Sequence, residues 1–322
     1  MAMNEKKLNE GHAHMRTAEN SQKTSLFKWK PDLDVAIEEY SKAAVCFRTC
    51  KAYDLAKNAY LKAAELQAQT NAKFYAGKSY EQVALLCKET KQLEQAAELL
   101  EKASAMFMDH GTPDSARLVL EKGAKMVEQE FPLKAVHMYK KASAIADNED
   151  RPNNAAENIG KAARILIHQR KLEQSIEYLK KEIHHHKKTQ NWPMIGKAAV
   201  GVIMLYLHNE DFAGGFNFYE DYFKCPELSD GDDAMYMYRL LKAYDTADEA
   251  AGRAILDSPL VRHMDNAFAK LARDLAIPET GTSSQDWGPS PHDPIDEIAE
   301  ATARLAADDY CEEEEDEELD LL

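Results

Sequence analysis

The sequence repeats itself about every twenty residues. Similar octets begin at large residues: Tyr40 opens "YSKAAVCF", Tyr60 "YLKAAELQ", Tyr80 "YEQVALLC" and Leu100 "LEKASAMF". Leu120 opens "LEKGAKMV", Tyr139 "YKKASAIA", Ile159 "IGKAARIL" and Leu179 "LKKEIHHH". Every step is twenty residues except the nineteen from Leu120 to Tyr139. A small residue stands four positions before each opener: Ala36, Ala56, Ala76, Ala96, Ala116, Ala135, Ala155 and Ser175. Another stands four after, from Ala44 to Ala163, until Ile183 breaks the pattern. Positions four apart share a helix face. Each unit therefore reads as a helix with a large knob between two small residues. Small residues let neighbouring helices come close, and burying the knob contributes roughly 1.5–3 kcal/mol.

The breaks between units fit short turns: "HGTPD", "EFP", "NEDRPN" and "QNWP". Pro113 and Pro152 suit first-turn helix positions. One helix per unit makes a hairpin about every forty residues, longer than the ~34-residue tetratricopeptide (TPR) repeat but of the same kind. No hairpin buries its apolar face alone, so the units stack into a curved solenoid. Residues 4–23 read as one more helix before the repeat. After Pro193 the register blurs into shorter, more apolar segments, as in a closing bundle.

Composition agrees with helix: only 13 glycines and 11 prolines in 322 residues, with 30% charged. The amino terminus has no apolar core of a signal peptide. The longest apolar run, Ala198 to Leu207, is too short for the ~20 residues of a membrane span. Five scattered cysteines fit a reduced, cytosolic chain. Residues 308–320, "DDYCEEEEDEELD", hold ten acids and no base, and without them the net charge of −16 falls to −6. No nucleic-acid partner is expected of such a chain.

Motifs for chemistry are weak. "AGKS" at Ala76–Ser79 resembles the end of a phosphate-binding loop, but the glycine needed five positions earlier is Ala72, and the stretch lies mid-helix. His184, His185 and His186 point about 100° apart on a helix and cannot converge on one metal, so a solvated polar face is expected. Cys46 and Cys50 share a face without further ligands and read as ordinary buried cysteines. No metal, cofactor or catalytic constellation is expected.

Three features each admit two readings. Phe27 and Trp29 alternate with Lys28 and Lys30 just before a helix start. They form either a hydrophobic staple near Val35 or a contact with a bilayer surface. The acidic tail is either a solubilising run or a docking peptide, since it closes on Leu319, Leu321 and Leu322. Lys42, Lys62, Lys102, Lys122, Lys141 and Lys161 recur two places after the knob and are expected to line one edge. That edge is either merely solvated or a charged groove for an acidic partner.

The chain resembles the soluble NSF attachment proteins (SNAPs), most of all their gamma form. The resemblance is carried by "FKWKPDLDVA", "YSKAAVCF", "HGTPDSARLVLEKGAKMVE", "PLKAVHMYKKA" and "SPLVRHMDNAFAKLARDL". It implies a non-enzymatic cytosolic adaptor, peripheral at membranes, that binds SNARE complexes (syntaxin-type helical bundles) and recruits the ATPase NSF. It implies SNARE contacts at Lys134 and Lys161, with Arg117, Lys122 and Lys141 beside them. It implies membrane contacts at Leu26, Phe27 and Trp29, although the alpha form has glycines where Trp29 to Pro31 stand here. It implies NSF contacts at Glu317, Glu318, Asp320 and Leu321.

The expected fold is all-α: a right-handed TPR-like α-solenoid of antiparallel helix hairpins with a C-terminal helical bundle. The expected order is a helix at 1–24, an aromatic loop at 25–31, the solenoid at 32–192 and the bundle at 193–277. A linker at 278–307 and the acidic tail at 308–322 follow. The competing reading is a TPR-like scaffold that grips peptides for an unrelated complex.

Overall fold

The small residues of the repeat disappear from solvent. Ala36, Ala56, Ala76, Ala96, Ala116, Ala135, Ala155 and Ser175 are each 0% exposed. The knobs between them are buried too, apart from half-buried Tyr80. The structure, a computed structural model, describes residues 2–24, 29–229 and 231–279. These are all-α, with no strand among them. The chain divides between Thr189 and Gln190 into two units.

The first unit is a TPR-like solenoid of nine helices among the described residues. These are α1 (Ala2–Gln22), α2 (Leu33–Thr49), α3 (Tyr53–Gln69), α4 (Lys73–Glu89) and α5 (Leu93–His110). They continue with α6 (Pro113–Val127), α7 (Pro132–Asn148), α8 (Pro152–His168) and α9 (Leu172–Lys188). Each packs chiefly on the next. Pro113, Pro132 and Pro152 each start a helix, where the missing N–H costs nothing.

Side-chain bonds, by contrast, often skip a helix. Arg48 of α2 bonds to Gln82 of α4, and Lys122 of α6 reaches Glu81 of α4. Lys141 of α7 reaches Glu101 of α5, and Lys188 of α9 reaches Asp147 of α7. Even- and odd-numbered helices thus form two layers. This corrects the expectation that six repeat lysines line one edge. Lys42, Lys122 and Lys161 lie on the even layer; Lys62, Lys102 and Lys141 lie on the odd one. Antiparallel hairpins alternate sides at every twenty-residue step, so a per-helix period cannot mark a single face.

One turn recurs between the helices. A left-handed residue follows at Lys51, Asn71, Lys91, Gly111, Asp150 and Arg170. The next amide closes back over five residues: Ala52 N–H donates to Phe47 O at 2.9 Å, and Thr112 N–H to Phe107 O at 2.9 Å. This is the Schellman closure of a helix end. Among these left-handed positions only Gly111 is a glycine.

The second unit is a helical bundle. It contains α10 (Trp192–His208), α11 (Phe212–Phe223), α12 (Pro226–Ser229) and α13 (Asp232–Asp245). It continues with α14 (Glu249–Leu256), α15 (Pro259–Arg262) and α16 (Asn266–Asp274). The run read as the longest apolar stretch is the body of α10, buried nearly all round. Within the bundle α10 contacts α11, α12, α13 and α16. The repeat outlasts its sequence signal here. α10 has the 17 residues of the solenoid helices, and Glu210 repeats the left-handed turn after it.

The recurrent turn makes a direct prediction. A Cβ at Gly111 would meet nothing within 4 Å, yet φ there is +82°. Gly111→Ala therefore loses about 1–2 kcal/mol through backbone strain alone. Lys91→Gly at the equivalent turn moves stability the other way. Urea unfolding of both variants measures the two shifts.

Candidate functional site

The cations singled out in sequence sit on three consecutive helices, but not on one face. On the even layer, Lys122 of α6 lies 2.7 Å from Glu81, which Lys78 also reaches at 3.3 Å. Lys161 of α8 pairs with Glu157 one turn back at 2.6 Å, and its Nζ stands 5.8 Å from the centre of the Tyr139 ring. On the odd layer, Lys134 of α7 lies 3.4 Å from Glu98 and 3.5 Å from the Glu94 carbonyl. Lys141 and His137 share Glu101, at 3.2 and 3.6 Å. Lys134 and Lys161, the two leading sequence candidates, are thus on opposite layers, while Lys122 and Lys161 share one.

Exposure separates these groups further. The side chains of Lys122, Lys141 and Lys161 are 43%, 47% and 42% exposed, whereas Lys134 is 23%. Arg117 is only 11% exposed. Its guanidinium bonds Glu121 one turn on, and Asp114 lies 3.8 Å away. Glu121 also accepts from Asn158 Nδ2 of α8 at 2.7 Å. Arg117, Glu121 and Asn158 therefore form an internal polar tie between α6 and α8. Asn158 is fully buried, and neither its Oδ1 nor Arg117 Nε has a hydrogen-bond partner. As an open contact residue Arg117 is corrected to a structural one. The repeat foreshadows this, since Arg117 stands three before its knob, where Ala97 and Val136 are also buried.

The electrostatics follow from these contacts. Burial acts to raise the Glu81 carboxyl, but the hydrogen bond and charge of Lys122, with Lys78, hold it below the ordinary value. Burial, reinforced by Glu128 and Glu121, pushes the Tyr139 hydroxyl up to about 12. It stays protonated at its knob position.

The histidine run needs a larger correction. His184 faces solvent, but His185 and His186 are 7% and 6% exposed. His186 stands seven after its knob, the slot filled by Phe47, Phe107, Val127 and Leu166 in other units. The register itself buries it. Neither ring nitrogen of His186 has a hydrogen-bond partner. Burial depresses its pKa, with Glu182 opposing and Arg164 adding to the shift. His185 is depressed by burial too, against the pull of Asp147 3.5 Å away.

The remaining candidates separate cleanly. "AGKS" lies inside α4, where a Cβ on Gly77 would come within 2.8 Å of the Phe107 ring, so its glycine serves packing. Cys46 is buried and Cys50 half-buried, both free thiols, and burial raises the Cys46 thiol pKa. Trp29 is 89% exposed and staples nothing. Leu26, Phe27, Glu317, Glu318, Asp320 and Leu321 lie outside the described residues.

The profile of a protein family described as "Soluble NSF attachment protein, SNAP" matches residues 6–254. The chain belongs to the SNAP family. Two curated relatives carry the name gamma-soluble NSF attachment protein. That of Dictyostelium discoideum is 23% identical over 83% of this chain and 83% of its own length. That of Arabidopsis thaliana is 26% identical over 81% of this chain and 90% of its own. A solved BtubC chain from P. vanneervenii aligns over 68% of this chain and 89% of its own, at 13% identity and a TM-score of 0.34, too loose a likeness to argue from. The SNAP match takes in every cation considered above, and Trp29 as well. It stops short of the acidic tail.

The buried histidines give the unfolding midpoint of this SNAP-family chain a pH dependence. A histidine depressed in the folded state takes up its proton more readily once unfolded. The stability is therefore complete above the ordinary value of 6.5 and is lost as pH falls from there through the depressed value. His186→Phe, matching Phe47 and Phe107 in the same slot, flattens the decline between neutral and mildly acid pH. Thermal melts across that range check it, and an unchanged slope would assign the acid sensitivity elsewhere.

Proposed function

We propose that this SNAP-family chain is a non-enzymatic adaptor that binds SNARE complexes, acidic helical bundles of the syntaxin type, and recruits the NSF ATPase that pulls them apart in vesicle transport. The observation that carries this reading is the family match across residues 6–254, which takes in nearly all of a two-layered solenoid with exposed cations at fixed spacing. The protein then works from the cytoplasm, peripheral to membranes, and uses no cofactor of its own.

The even layer is the favoured SNARE face. Lys122 and Lys161 are more open than Lys134 but no more open than odd-layer Lys141, and what favours their layer is the exposed apolar pair Tyr75 at 64% and Leu118 at 54%, against Leu133 at 48% on α7. An acidic helix bundle offers both carboxylates and apolar ridges to such a surface. The internal partners Glu81 and Glu157 do not block it. The Lys161–Glu157 pair is exposed on both sides and contributes only about 0–1 kcal/mol, so Lys161 exchanges its carboxylate for an external one at little cost, whereas Lys122 is anchored on half-buried Glu81 and offers a partner its own open side chain.

Two further contacts belong to this reading. Trp29 is held in water with Lys30 beside it, which suits an interface of headgroups and acyl chains. Leu26 and Phe27 join it by sequence. The tail, with Glu317, Glu318, Asp320 and Leu321, is assigned to NSF from its charge and its terminal leucines. Charge reversal separates the layers. Lys122→Glu with Lys161→Glu lowers SNARE-complex capture at moderate salt by at least about tenfold, while Lys134→Glu with Lys141→Glu changes it less than about twofold. Equal losses from both pairs would refute the layer assignment, and no loss from either would remove the solenoid face as a SNARE site.

A further inference from the structure

In the solenoid many outward cations are matched with carboxylates, among them Lys62 with Glu19, Lys73 with Asp109, Lys122 with Glu81 and Lys188 with Asp147. One cleft in the second unit instead gathers three cations around a single carboxylate. α14 ends at Leu256, α15 makes a single turn, and α16 packs against α15. Between them lies a cleft of about 310 Å³. Leu256 and Val261 are buried and give it an apolar floor. Its other lining includes Arg262, Lys270, Arg273, Asn266 and a single carboxylate, Asp257.

Asn266, Lys270 and Arg273 stand at i, i+4 and i+7 on α16 and so share one face. Arg262 joins them from α15. All three cations are exposed, and none has an ion pair with any described residue. Arg253 of α14 donates to the Arg273 carbonyl at 3.3 Å, tying the two sides of this region together. Three like charges around one cleft repel one another until an anion neutralises them. Two guanidinium forks and an ammonium are the donor set that phosphate oxygens accept. The volume lies at the lower end of small-molecule sites, roughly 300–1,000 Å³. Asn266 and Asp257 add partners for hydroxyl groups.

We propose that the cleft between α14, α15 and α16 binds a polyphosphorylated polyol of the inositol phosphate class, free or as a lipid headgroup. The site lies after residue 254, where the SNAP profile ends, and does not depend on the SNARE reading. It gives the bundle a ligand of its own.

The test uses the full chain. Calorimetric titration with inositol hexakisphosphate shows binding well above that of inorganic sulfate. Arg262→Gln with Lys270→Gln and Arg273→Gln weakens it by at least about tenfold, as expected when three charge-assisted contacts go. Lys270→Arg retains it. All three side chains are exposed, so an unchanged melt shows that the fold survives. Sedimentation with phosphatidylcholine vesicles, plain or doped with phosphatidylinositol bisphosphate, separates the sources. Binding to doped vesicles that survives Trp29→Ser but not the triple variant marks a headgroup site, and calorimetric binding without sedimentation marks a soluble ligand. Equal affinity of wild type and triple variant for the hexakisphosphate, or no preference over sulfate, would overturn the proposal.

Discussion

The structure depends on how closely its helices approach through small residues. Ala56, Ala76, Ala96 and Ala116 are fully buried at matching points of successive helices, and a larger residue there would push the pair apart. Close approach lets knobs such as Leu100 and Leu120 fill the space between two small neighbours. It also fixes the spacing of the layers. Because each helix is locked to the next, helices two apart come within side-chain reach, and the lysine–glutamate bonds across about forty residues become possible. The surface electrostatics are thus a consequence of the alanines beneath.

Those electrostatics fall into two kinds. Lys122, Lys141 and Lys161 are themselves open to solvent, on carboxylates that run from half-buried Glu81 and Glu101 to exposed Glu157. Arg117 with Glu121 and Asn158, and Arg164 with nearly buried Glu182 at 2.9 Å, are enclosed. Breaking such an enclosed pair from one side leaves a charge without water and costs far more than losing an exposed pair. A conspicuous arginine is therefore a poorer guide to a binding face than an open lysine. The same distinction marks the bundle cleft, where Arg262, Lys270 and Arg273 are open and have no carboxylate partner among the described residues.

Much of the fold was visible in the sequence, because its period is set by local packing. Alanines four residues either side of a knob, and prolines at helix starts, report on one helix and its immediate neighbours. Those signals located the solenoid helices and the turns at Pro113, Pro132 and Pro152. Layering was hidden, because a motif repeated in every helix carries no sign of which side that helix occupies. The turns were hidden too: Lys51, Lys91, Arg170 and Glu210 adopt left-handed backbone without the glycine that usually announces it. His185 and His186 were misread because polarity was weighed above register, although the register already placed His186 with Phe47 and Phe107. The cations of the bundle cleft, which have no ion pair among the described residues, come from two elements, α15 and α16, whose meeting no local pattern encodes.

The central claim, a SNAP-family adaptor working through its solenoid and its tail, is tested most directly by reconstituted disassembly. Labelled SNARE bundles, NSF and ATP are combined with this chain as the sole adaptor, and separation of the helices is followed by loss of energy transfer between the labels. The account predicts disassembly that requires the chain, and that fails on removal of residues 308–322 while SNARE binding persists. A chain that binds the bundle yet leaves its disassembly no faster than NSF alone would contradict it.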